Sequence, residues 1–175
     1  MNIALVPSKV RKQRLEAWIA EYSDAVLRTC YIYLADMALA EDSLQDTFLK
    51  VWRNMDSFEG RNGSSVKTWI IRIAINTCKN YRTSAWHRRV DTSKIIEELP
   101  PSITGVTDDS RAVFMEVMHL PDKLKQVVIL YYYHGMNMAE TGDILGISRT
   151  AVQHRLKKAY ELLRIQIEGS DPDET

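Results

Sequence analysis

Met138-Ala139-Glu140-Thr141-Gly142-Asp143-Ile144-Leu145-Gly146-Ile147-Ser148-Arg149-Thr150-Ala151-Val152-Gln153-His154-Arg155-Leu156-Lys157-Lys158-Ala159-Tyr160 is the stretch of the 175-residue chain that decides its fold. Residues 138–145 predict a short helix, and a second helix is predicted from Arg149. Gly146 supplies the left-handed turn that closes the first, and Ser148 is placed to cap the second. Val152, Leu156 and Ala159 step by four and three and so share an inward face. That leaves Arg149, Thr150, Gln153, His154 and Lys157 to point outward. A helix–turn–helix of this kind sets the N-terminal part of its second helix in the major groove of DNA. Arg149 and Gln153 suit guanine and adenine edges, while Arg155, Lys157 and Lys158 suit phosphates. A plain helical hairpin with a basic surface gives no reason for the Gly-Ile-Ser turn and the basic face to occur together.

Working outward, almost every long segment has helical period, which predicts an all-α protein. Residues 9–34 place Leu15, Trp18, Ile19, Tyr22, Val26, Cys30 and Tyr33 on one stripe. Residues 39–55 carry Leu44, Phe48, Val51, Trp52 and Met55 at helical steps. Residues 60–65 read as a loop broken by Gly60, Asn62 and Gly63. Residues 65–85 form a third predicted helix, with Val66, Ile70, Ile73, Thr77 and Tyr81 expected inside. From residue 90 to 107 the pattern dissolves around Pro100, Pro101 and Gly105, as in an interdomain linker. Helix resumes at Asp109 with Asp108 as its expected cap. Another runs from Leu120-Pro121-Asp122 to about His134, with the proline in its first turn. Gly135 and Asn137 then break the chain.

Composition narrows the function classes. Hydrophobic residues make up 45% of the chain, enough for packed cores without metal or disulfides. The two cysteines, Cys30 and Cys78, are expected as buried thiols in a reducing compartment. No Cys/His spacing suggests zinc, and neither a metal nor a cofactor is expected. No phosphate loop or nucleophile motif points to an enzyme with a small-molecule substrate. No apolar run reaches the length of a membrane span or forms a signal-peptide core, which leads to a cytoplasmic expectation.

The zero net charge conceals an asymmetry: residues 61–90 hold seven basic and no acidic groups. Residues 91–122 are net −5 and residues 123–168 net +3. Two basic blocks about an acidic connector predict two polyanion-binding modules. On the helix of residues 65–85, Lys67, Arg72, Asn76, Lys79, Asn80 and Thr83 are expected opposite the core. Trp69, Tyr81 and Trp86 interleave aromatics with that charge, a pattern suited to single strands. Glu41, Asp42, Gln45 and Asp46 cluster near a helix start, where they favour the dipole and also suit a basic partner.

Three of these motifs carry a resemblance. Ala40-Glu41-Asp42 with Gln45-Asp46-Thr47-Phe48-Leu49-Lys50-Val51-Trp52 resembles the core-polymerase-binding segment of extracytoplasmic-function (ECF) sigma factors. Trp69-Ile70-Ile71-Arg72-Ile73-Ala74-Ile75-Asn76 resembles that family's helix for promoter melting and −10 recognition. Leu120-Pro121, Val127 to Tyr131, Ile144-Leu145-Gly146-Ile147-Ser148 and Val152 to Leu156 resemble its region 4, which binds the −35 element. The resemblance implies an all-α protein of two small helical domains: region 2 over residues 10–89, a linker over 90–108, and region 4 over 109–168. It implies a non-enzymatic initiation subunit whose partners are core RNA polymerase and promoter DNA; an anti-sigma factor is a common further partner in the family. By the same resemblance Glu41, Asp42, Gln45, Asp46, Phe48 and Trp52 bind the polymerase. Arg61, Asn62, Lys67, Arg72, Asn76, Lys79 and Asn80 take the −10 DNA, and Ser148, Arg149, Thr150, Gln153, His154, Arg155, Lys157 and Lys158 the −35 DNA.

Several positions depart from the family pattern. Thr141 and Gly142 replace a larger aliphatic residue and alanine, and glycine in a helix interior costs about 1 kcal/mol relative to alanine. Asn80 stands where aspartate is common, and Gln153-His154 replace a frequent Lys-Ser pair, which points to a distinct promoter sequence. A ligand-sensing or dimerising regulator built on the same helix–turn–helix is the main rival, and binding to core polymerase separates the two.

Overall fold

Trp18, Val26, Cys30 and Tyr33 line the inner face of α1, Ser8–Leu34, the first element of a computed structural model that describes residues 8–58, 65–83 and 108–169. Ile19, expected on the same stripe, is exposed instead. The helix ends at Ala35, a non-glycine residue at φ +55° whose N–H reaches the Tyr31 carbonyl at 2.7 Å. Asp36 then caps α2, Met37–Asn54, by accepting from the Leu39 N–H at 2.9 Å. A 3-10 turn, Met55–Ser57, follows. The third helix, α3, spans Val66–Thr83, and Ser65 Oγ accepts the Thr68 N–H at its start.

These helices pack on one another around Val26, Cys30, Ala40, Val51, Met55, Ile70, Ile71, Ala74, Ile75 and Cys78, all buried. Fully burying an isoleucine such as Ile70, Ile71 or Ile75 contributes about 1.5–3 kcal/mol. Thr29, Thr47 and Thr77 are buried too, and each hydroxyl donates to the carbonyl four residues earlier, so none costs an unmet hydrogen bond. Cys30 and Cys78 are free thiols in this core. A hydrogen bond to Cys78, together with burial, pushes the Cys30 thiol far above its usual range.

The buried arc of α3 differs from the expected one. Ile70 and Thr77 are buried, but Val66, Ile73 and Tyr81 are only half-buried, while Ile71, Ala74, Ile75 and Cys78 lie deepest. The reason is that α3 is covered by both α1 and α2, so its apolar face is wider than one stripe and centred elsewhere. Trp69 packs at 5.1 Å from Phe58 and 6.0 Å from Trp18, ring to ring, so it closes the core. The expected loop at residues 60–65, apart from Ser65, lies outside the described residues, as do Trp86 and the linker to residue 107.

Contacts group the chain into two units, Met1–Ile95 and Ile96–Thr175. In the second, α4 spans Asp108–His119 and α5 Asp122–Val128. Asp108 is helical, not the cap, and Pro121 is the N-cap of α5, not a first-turn residue: its ψ of 139° is extended. The helix expected to reach His134 changes hand-hold after Val128. Ile129–Tyr133 form a π-helical turn, closed by His134 N–H on the Ile129 carbonyl at 2.9 Å. Asn137 does more than break the chain. Its side chain accepts from Ala139 and Glu140, and the Glu140 carboxylate accepts the Asn137 N–H, a capping box that starts α6, Met138–Leu145. The last helix, α7, spans Arg149–Gly169. Leu124, Val127 and Val128 of α5, with Val152, Leu156 and Ala159 of α7 and Leu120 just before α5, form one core.

Candidate nucleic-acid interface

The turn between α6 and α7 follows from two glycines. Gly146 sits at φ +68°, in the left-handed region, and the Ile147 N–H reaches back to the Gly142 carbonyl at 3.0 Å. A Cβ on Gly142 would stand 2.6 Å from the Ile147 carbonyl oxygen. The expected weakness of α6 at this glycine is therefore offset by the close approach that its missing side chain allows. Ser148 accepts the Ala151 N–H at 3.2 Å and so starts α7. With Val152, Leu156 and Ala159 buried, the helix exposes Arg149, Thr150, Gln153, His154, Lys157 and Lys158. The hydroxyl of Ser148 is occupied as a cap, and Arg155 is half-buried, so these two differ from the rest of the expected set. Tyr160, 63% exposed, continues the Arg149–Gln153 face and was absent from the expected residues. Its i, i+7 step from Gln153 was the available signal.

On α3, Asn76 and Asn80 are exposed and Arg72 and Lys79 half-exposed, all on the side turned from Ile71, Ala74 and Cys78. Lys67 is half-buried in the first turn of α3, away from that group by helical position. Arg61 and Asn62 lie outside the described residues. Tyr81, expected to interleave with the cations, donates its hydroxyl to Asp46 Oδ2 at 2.9 Å. Burial first, then the Asp46 bond and charge, pushes its phenol up to about 12.

The expected polymerase edge on α2 divides. Glu41, Asp42 and Gln45 are exposed, with Leu49, 53% exposed, continuing the same strip. An exposed leucine among polar groups is a signal the hydrophobic pattern alone concealed. Asp46 is half-buried under Tyr81. Phe48, expected with the polymerase-binding residues, is buried at 7% exposure against the core. Trp52 is half-buried beneath Arg11, whose guanidinium lies 4.4 Å from the ring centroid and also donates to the Trp52 carbonyl. Arg11 is in turn paired with Asp56 at 3.1 Å. Among the described residues no helix is long and apolar enough to cross a membrane.

Two helical units, one carrying a helix–turn–helix with a polar and basic outer face, define a DNA-binding protein of the helix–turn–helix class. Family models for Sigma-70 region 2 and Sigma-70 region 4 match residues 18–88 and 117–164, together more than half of the chain. The chain belongs to the sigma-70 family, in its ECF group. It is 29% identical over 160 residues to the ECF RNA polymerase sigma factor SigW of Bacillus subtilis, across 83% of this chain and 84% of that protein. With the ECF RNA polymerase sigma-E factor of Haemophilus influenzae it shares 26% over 173 residues, 90% of this chain and 89% of the other. The fold is similar to that of the sigma factor RpoE of Bartonella quintana, solved with the anti-sigma factor NepR. The TM-score is 0.72 at 20% identity, over 90% of this chain and 99% of that one. Promoter-directed initiation of transcription is the function that family membership gives it.

Proposed function

We propose that three surfaces divide initiation between them, by binding and without catalysis, in the cytoplasm. Residues 10–89 act as region 2, 90–108 as the linker and 109–168 as region 4. Glu41, Asp42 and Gln45, with Leu49, form the edge that docks on core RNA polymerase; Asp46 and Trp52 flank it, and Phe48 supports it from the core. Arg61, Asn62, Lys67, Arg72, Asn76, Lys79 and Asn80 engage the −10 element as it melts. Arg149, Thr150, Gln153 and His154 read the −35 element, with Ser148 setting the helix start and Arg155, Lys157 and Lys158 holding phosphates. The observation that supports this reading is the α6–α7 geometry, which buries Val152, Leu156 and Ala159 and leaves outward polar side chains whose chemistry suits base edges. An anti-sigma factor, of the kind seen with the Bartonella protein, is proposed as a further partner.

The test is in vitro transcription from genomic promoter fragments with core polymerase and the purified chain. Defined start sites, absent with core alone, are expected. A chain that binds DNA but neither binds core nor directs initiation would be a regulator instead.

A further inference from the structure

Two hydrogen bonds cross from α2 to α3. Tyr81 Oη donates to Asp46 Oδ2, and Lys50 Nζ donates to Thr77 Oγ1, both at 2.9 Å. The partners step by four in opposite directions, Asp46 to Lys50 along α2 and Tyr81 to Thr77 along α3. They therefore form two rungs, one helical turn apart, between antiparallel helices. Thr77 is anchored in turn, since its hydroxyl donates to the Ile73 carbonyl at 2.8 Å.

The rungs lie between two functional faces. On α2 the residues just before each rung are Gln45 and Leu49, both exposed; on α3 they are Asn76 and Asn80, both exposed. The apolar contacts of the core are non-directional and tolerate a small rotation of one helix on another. Hydrogen bonds are directional, and two of them one turn apart fix both rotation and slide. Turning α3 by one residue would swing Asn76 through about 100° and move it about 1.5 Å along the axis.

The geometry points to Tyr81 as a positioning residue for strand capture: its bond to Asp46, with the Lys50–Thr77 rung, aims Asn76 and Asn80 from the polymerase-bound α2. This rests on the proposed role of α3 in −10 DNA. Neither Tyr81 nor Thr77 touches the DNA in this scheme; both act through α3.

The experiment uses full-length protein in holoenzyme, on a duplex promoter and on the same promoter with a pre-opened −10 bubble. Tyr81→Phe removes one hydroxyl. It is expected to leave core affinity and duplex attachment within about twofold, while opening, read by permanganate footprinting, slows about three- to tenfold, the scale of one hydrogen bond. Thr77→Val is expected to act in the same direction, and Thr77→Ser, which keeps the hydroxyl, to restore opening. The bubble template should recover much of this loss, as it should for Asn76→Ala, because base capture no longer has to offset unpairing. If Tyr81→Phe lowers the melting midpoint, core affinity and opening in parallel, Tyr81 is only structural and the inference is overturned. The Thr77 pair gives the same decision where the phenylalanine variant does not fold. Asn76→Ala is the control. Slow opening with Asn76→Ala but wild-type opening with Tyr81→Phe removes the inference and keeps the reading of α3; wild-type opening with both removes the reading itself.

Discussion

Thr141 is wholly buried in α6, and its hydroxyl has no hydrogen-bond partner among the described residues. An unmet buried hydroxyl costs about 1–3 kcal/mol, and valine has nearly the same shape without it. Thr141→Val should therefore raise stability by about 1–2 kcal/mol, seen as a higher urea midpoint with an unchanged slope. A midpoint at or below that of the parent would mean that the hydroxyl is satisfied after all. Ala35 presents the converse case, a Cβ in the left-handed region at φ +55°. Glycine there removes a strain of about 1–2 kcal/mol but gives back part of it as unfolded-chain entropy. The net expectation for Ala35→Gly is a gain of up to about 1 kcal/mol in the same measurement. Neither site was legible from the sequence as a local fault. Thr141 reads as an unusual residue in a familiar motif, and Ala35 as an ordinary helix former. Gly142 shows the same limit, since only the 2.6 Å approach of the Ile147 carbonyl explains a glycine that propensity alone counts against.

At the scale of single helices, legibility followed how each face is covered. Both helices of the α6–α7 motif were readable because each buries one narrow stripe and Gly146 marks the break between them. On α3 two neighbours widen the buried arc, and a single-stripe reading placed Tyr81 and Val66 too deep. The capping box of α6 is written in the sequence as Asn137 and Glu140, three apart, but an asparagine beside Gly135 reads equally well as a breaker. The π turn at Ile129–Tyr133 has no periodic signature that separates it from α5. The proposed polymerase edge makes the same point in energetic terms. Asp42 is exposed, whereas Asp46 holds Tyr81. Asp42→Lys should weaken pull-down of core polymerase with no change in melting midpoint, while Asp46→Lys should lower both. Equal core binding by Asp42→Lys and the parent would remove that edge from the interface. The Tyr81 bond also has a pH signature. Its phenol is held at about 12, above the ordinary value of 10, so the bond's contribution is complete below pH 10 and fades as pH rises toward 12. The stability gap between parent and Tyr81→Phe should therefore be constant from pH 8 to 9.5 and narrow by pH 11. A constant gap throughout would show that the hydroxyl does not titrate with folding.

Across the whole molecule, the two proposed DNA surfaces belong to different units: α3 to Met1–Ile95 and α7 to Ile96–Thr175. The charge blocks separated by the acidic stretch of residues 91–122 already carried that division in the sequence. Mutations in separate units with no shared partner add in free energy. Gln153, on α7, is expected to act on attachment to duplex DNA, and its loss to cost about 1–3 kcal/mol where the base contact is bidentate. Asn76, on α3, is expected to act after attachment, because its amide both donates and accepts and can pair with an exposed base edge. Gln153→Ala should then weaken closed-complex binding and leave the opening step unchanged, while Asn76→Ala should do the reverse. In the double variant the two losses should multiply, each confined to its own step. A pre-opened bubble should recover much of the Asn76→Ala loss, since the unpairing cost no longer has to be offset by base capture, and none of the Gln153→Ala loss. Lys158→Ala supplies the electrostatic reference: it should reduce the salt slope of binding by about one without changing base preference. Opening slowed by Gln153→Ala at saturating holoenzyme, or a double loss far from the product, would mean that the surfaces are coupled through the polymerase and do not act in sequence.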